Sequence, residues 1–117
     1  MSLSALLGRR DRSGWIDPPD LVAELAGDAP PLVVDVRSLA EFTGPLGHIA
    51  EAVNIPLDTF AARVAEVTDP ARPVVLVCHT DRRSSAAAHH LLGLGLTEVE
   101  VLRGGMTAWT QAGLPTG

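Results

Sequence analysis

The sequence predicts an α/β fold, a parallel sheet with helices on both faces. Three observations carry that prediction. Residues 32–36 and 74–77 are almost continuously apolar, with no polar alternation, which suits strands buried on both faces. Stretches of helix formers lie between such runs, and strands alternating with helices build parallel sheets through crossover connections. The chain has 117 residues, enough for one domain and too few for two.

In chain order, residues 1–13 carry Arg9, Arg10 and Arg12 and read as a poorly ordered leader to a domain spanning 14–117. Trp15 and Ile16 suit a short strand. Asp17 is placed to cap a helix with Pro18 at its first position, Leu21, Val22 and Leu25 on one face and Gly27 past its end. After the strand at 32–36, Ser38-x-x-Glu41 is a capping box, and Gly44 to Gly47 is a turn. Residues 52–55 form a short strand stopped by Pro56. Asp58 is expected to cap the next helix, with Phe60, Val64 and Val67 inward. The strand 74–77 leads into Cys78, and a helix over 84–94 follows, capped by Ser84. A strand at 98–102, a turn at Arg103–Gly104–Gly105 and a helix at 106–112 complete the chain.

Composition narrows the function. With 46% hydrophobic residues a full core is available. A net charge of −5 without a basic stripe argues against nucleic acid and anionic membranes. No run approaches the ~20 apolar residues of a membrane span. A single cysteine excludes an internal disulfide and fits a reducing cytoplasm.

That cysteine marks the chemistry. Cys78-His79-Thr80-Asp81-Arg82-Arg83-Ser84 joins a buried strand to a helix. Ligands in open α/β sheets bind at such junctions, where the helix N-terminus favours anions. Helix N-termini and nearby arginines also favour the thiolate. Cys78 alone would read as a small buried hydrophobe; two arginines, a serine and a threonine beside it have no role in core packing. Cys78 is therefore read as a nucleophile, and the loop through Ser84 as an anion cradle. Asp35 and Arg37, at the carboxyl end of the strand 32–36, read as a pair that holds loops, His48 as a structural hydrogen-bonder, and Trp109 as core or pocket wall. His89 and His90 are adjacent on a helix and do not face each other, so no metal site is expected, and no cofactor.

Several stretches together resemble the rhodanese family of sulfurtransferases: Asp35-Val36-Arg37, Glu41-Phe42, Gly47-His48-Ile49, Asn54-Ile55-Pro56, Val77-Cys78 with Arg83-Ser84, and Leu102-Arg103-Gly104-Gly105-Met106 with Trp109 and Gly113-Leu114-Pro115. The resemblance runs from about Asp17 to Pro115. It implies a three-layer α/β/α domain with a mainly parallel five-stranded sheet. It also implies that Cys78 takes a sulfane sulfur from an anionic donor such as thiosulfate and passes it to cyanide, a thiol or a protein acceptor. Arg83 matches the family's loop arginine and is expected to bind the donor's oxyanion, with Arg82, His79, Thr80, Asp81 and Ser84 around it. The departure is Asp81, where many members have glycine in C-x-x-G-x-R-S. Two roles are open to it: repelling dianionic donors from the pocket, or capping a loop N–H. Two other functions are weighed: a non-catalytic binding module, and a phosphatase, which the Cys-x4-Arg spacing here does not favour.

Overall fold

The computed structural model describes residues 14–117, so the leader expected over 1–13 lies outside the described residues. The elements are β1 (Trp15–Ile16), α1 (Pro18–Leu25), β2 (Leu32–Asp35), α2 (Leu39–Phe42), β3 (Val53–Asn54), α3 (Leu57–Phe60) running into a 3-10 helix (Ala61–Val67), β4 (Val74–Val77), α4 (Arg82–Gly93), β5 (Val99–Leu102) and α5 (Gly105–Gln111). The five strands form one sheet in the order β1-β5-β4-β2-β3, and every pairing is parallel. The mainly parallel sheet expected from the resemblance is thus wholly parallel.

Because side chains alternate across a strand, the two apolar runs feed two cores. Val34, Val36, Val74 and Leu76 pack with Phe60, Ala87 and Leu91 on the α3–α4 side. Val33, Val75 and Val77 pack with Ile16, Leu21, Met106 and Trp109 on the α1–α5 side. Leu32 to Asp35 align with Val74 to Val77, which brings the carboxyl ends of the two central strands together and sets Asp35 beside the start of the cysteine loop. No helix among the described residues is long and apolar enough to cross a membrane.

Two capping positions change, and a third is kept without its expected side-chain bond. Helix α3 begins at Leu57 with Pro56 as its N-cap, so Asp58 lies inside the first turn, where a carboxylate still favours the helix dipole. Helix α4 begins two residues before Ser84, with Asp81 at the N-cap; Ser84 occupies the third helical position and turns its hydroxyl back to the Asp81 carbonyl, 3.1 Å away. Asp17 does hold the N-cap position of α1 but makes no side-chain cap bond; its carboxylate pairs instead with Arg103 at 2.8 Å. After α3 the chain tightens into a 3-10 helix, whose period of three stacks Val64 over Val67 on the core side.

Candidate active site

Cys78 directly follows the end of β4 and is 1% exposed. Its sulfur lies 3.1 Å from the Ser84 hydroxyl. The loop turns through His79 and Thr80 to Asp81, and α4 starts at Arg82. The first N–H groups of a helix have no carbonyl partner within it, and those of α4 follow the cysteine by four residues.

A second helix holds this loop in place. The N-terminal turn of α5 has the same unpartnered donors, and they fall on the cysteine loop: Met106 N–H donates to the Cys78 carbonyl (2.9 Å) and Thr107 N–H to the His79 carbonyl (3.1 Å). Gly104 N–H donates to the Asp81 carboxylate at 2.7 Å. The approach requires glycine. Gly105 has φ +56°, and a Cβ there would run into the carbonyl oxygens of Cys78 and Thr80 and lie 2.7 Å from that of His79. Read from sequence as a plain turn, Gly104–Gly105 is the post against which the loop is built.

Asp81 has φ −133°, a backbone conformation that does not call for glycine, and its carboxylate caps a loop N–H. Asp81→Gly is therefore expected to lower kcat/KM severalfold by freeing the loop, since a hydrogen bond to a charged group contributes about 1.5–3 kcal/mol. The loss is expected at low and high salt alike. A gain for anionic donors confined to low salt would instead make Asp81 a charge filter.

Arg83 is half-buried, and both of its terminal nitrogens are engaged by Glu41, Nη1 to Oε1 at 2.6 Å and Nη2 to Oε2 at 2.8 Å. The Arg83 hydrogen bond, helped by the Ser38 N–H and opposed by burial, lowers the Glu41 carboxyl from 4.5 to about 2. Arg83 is raised in turn, chiefly by Glu41, with smaller contributions from the charges of Cys78 and Asp35. Arg82 is exposed and forms no ion pair among the described residues. Beside Arg83 a cavity of about 640 Å³ is walled by Val36, Leu39, Pro56, Leu57 and Asp58.

Behind the loop, Arg37 and Asp35 form a buried pair, 1% and 0% exposed and 2.7 Å apart. Arg37 also donates to the carbonyls of Glu41 (3.2 Å) and Gly47 (2.7 Å), and Asn54 donates to the carbonyls of Asp35 and Arg37. His48 stacks on Phe42 at 3.7 Å, with Nδ1 2.9 Å from the Phe42 carbonyl. Trp109 is buried and donates to the Pro115 carbonyl. His79 is exposed; its Nε2 lies 3.4 Å from Thr107 Oγ1. Thr80 is exposed on the same turn.

The residue that sequence reading missed is Glu41. Its place in the capping box accounted for the carboxylate locally, and the box is present. Nothing in the local pattern points to a partner 42 positions away.

A family model for the rhodanese-like domain matches residues 18–112. A protein named sulfurtransferase from Allochromatium vinosum is 36% identical over 100 residues, covering 86% of this chain and 91% of that one. A thiosulfate sulfurtransferase GlpE from Shewanella oneidensis is 35% identical, covering 68% and 76%. Some relatives are longer: this chain spans 53% of one from Synechocystis and 59% of one from Bacillus subtilis. The crystal structure of a rhodanese-related protein from Thermoplasma volcanium superposes with a TM-score of 0.75 at 28% identity, covering 86% and 94%. Strand order, cysteine loop and the matched span together place this chain in the rhodanese-like family.

Proposed function

We propose that the chain is a sulfurtransferase that carries sulfane sulfur on Cys78. The observation that carries this reading is a buried thiol at a strand-to-helix junction, with the Ser84 hydroxyl 3.1 Å from its sulfur. The names of two relatives, sulfurtransferase and thiosulfate sulfurtransferase, support the same reaction class.

In the first half-reaction the Cys78 thiolate attacks the outer sulfur of an anionic donor. With thiosulfate the S–S bond breaks, sulfite leaves with the electron pair, and Cys78–S–S⁻ remains. In the second, cyanide attacks the terminal sulfur, thiocyanate departs and the thiolate returns; a small thiol or a protein thiol acts likewise and leaves as a persulfide. Nucleophilic catalysis divides the transfer in two. Successive loop N–H groups form a nest that stabilises the terminal sulfur anion with no metal or cofactor. Arg83 meets the donor's oxyanion, and Arg82, on the exposed rim, attracts it. His79, Thr80 and Asp81 shape the loop. A lone thiol suits a reducing cytoplasm, where we place the protein.

Steady-state thiocyanate formation, with donor and cyanide varied independently, tests the two-step scheme. Parallel double-reciprocal lines are expected. Lines that intersect would mean that both substrates bind before sulfur moves, and the persulfide scheme would be wrong.

A further inference from the structure

Sequence reading pictured a basic loop, two arginines beside a thiol. The charges around the site are arranged otherwise. Arg37, Arg82 and Arg83 stand with Asp35, Glu41 and Asp81 of the loop and its support, and with Asp58 in the cavity beside Arg83, four carboxylates to three guanidiniums. Two of the four are held within the scaffold: Asp35 by buried Arg37 and Asp81 by Gly104 N–H. Asp58 lines the cavity that Arg83 also lines. Glu41 is the carboxylate that touches the donor-binding arginine, through two short bonds in a fork-to-fork pair.

We infer that Glu41 is a specificity-determining residue: by neutralising Arg83 it makes the site select singly charged sulfane donors, of the alkyl thiosulfonate class, over dianionic thiosulfate. The inference rests on the sulfurtransferase reading above. Its physical basis is that a paired guanidinium keeps unused N–H donors for an oxygen atom but offers little net attraction. With Arg83 neutralised by Glu41, a dianion forgoes more attraction than a monoanion does, because the Coulomb energy lost scales with the donor's charge. Methanethiosulfonate is the matching probe, since a methyl group replaces one anionic oxygen of thiosulfate. The Cys78 thiolate attacks its outer sulfur, the S–S bond breaks, methanesulfinate leaves with the electron pair, and the same Cys78–S–S⁻ forms.

The experiment compares kcat/KM for the two donors across ionic strength, in wild type and Glu41→Gln. Glutamine at the third helical position still completes a capping box, so the variant keeps the helix start while losing the charge and one of the two acceptors that face Arg83. In wild type, kcat/KM for thiosulfate is expected to change little with salt, because the Arg83–Glu41 pair leaves little net charge to screen. In Glu41→Gln it is expected to rise roughly tenfold at low salt, mainly through KM. Methanethiosulfonate, with half the charge, should gain about threefold, and both gains should shrink at high salt. A wild-type rate for thiosulfate that falls with salt would overturn the inference, as would an equal loss for both donors in the variant, which would make Glu41 a positioning residue for Arg83. A wild type that yields no cyanide-labile sulfur from either donor would instead defeat the underlying sulfurtransferase reading, and this inference with it.

Discussion

Cys78→Ser is expected to abolish thiocyanate formation from every donor while leaving a folded protein. The loss follows from the nucleophile. A serine hydroxyl is hardly ionised near neutral pH, and it cannot carry a sulfane sulfur as a persulfide. No other residue can substitute, because Cys78 is the chain's only cysteine. The fold should survive because the position is a small buried one with a hydroxyl partner already present, Ser84 at 3.1 Å. A cost of about 0.5–3 kcal/mol is ordinary for a single substitution. Thermal unfolding followed by circular dichroism checks the fold alongside the assay. Turnover by the serine variant at the wild-type rate would remove Cys78 from the mechanism.

Arg37→Ala is expected to destabilise the protein by about 3–5 kcal/mol, the usual cost of removing one partner from a buried ion pair. Asp35, 0% exposed, would be left buried without the guanidinium that holds it at 2.7 Å. The carbonyls of Glu41 and Gly47 would also lose a donor. Against a total stability of about 5–15 kcal/mol for a domain, that is a large share. Because Glu41 carries Arg83, the damage should reach the donor site as well. The double variant Asp35→Ala/Arg37→Ala should be less harmed than Arg37→Ala alone, since it leaves no uncompensated buried charge. Urea denaturation with an unchanged slope measures both; a loss under ~1 kcal/mol in Arg37→Ala would mean that water or another cation satisfies Asp35.

What the sequence made legible was local. Residues 32–36 and 74–77 could be assigned to buried strands because a nearly continuous apolar run of four or five residues, bounded by turn formers, is too short for a buried helix. Cys78 announced itself because strand, thiol, arginines and helix are consecutive. The strand order, with β4 between β5 and β2, has no signature in any one segment, since pairing is decided by how crossovers pack. Start points also shifted: Pro56 holds the N-cap position expected of Asp58, and Asp81 the one expected of Ser84. The long-range partners were the least legible. Glu41 reaches Arg83 across 42 positions, and Asp81 reaches Gly104 across 23. Each carboxylate already had a sufficient local reading, as a capping-box member and as a loop anion. Gly105 gave a signal, but its reason, that a Cβ there would strike the Cys78 and Thr80 carbonyls, exists only once α5 has packed against the cysteine loop.

The central claim is that the sulfur in transit is bonded to Cys78. Intact-mass measurement after brief exposure to thiosulfate or methanethiosulfonate, followed by removal of free donor, tests it most directly. The account predicts that wild type gains the mass of one sulfur atom, that the gain maps to the peptide holding Cys78, and that cyanide removes it with one equivalent of thiocyanate released. Cys78→Ser should show no gain. An unmodified wild type that nevertheless turns over, or sulfur retained by the serine variant, would contradict it.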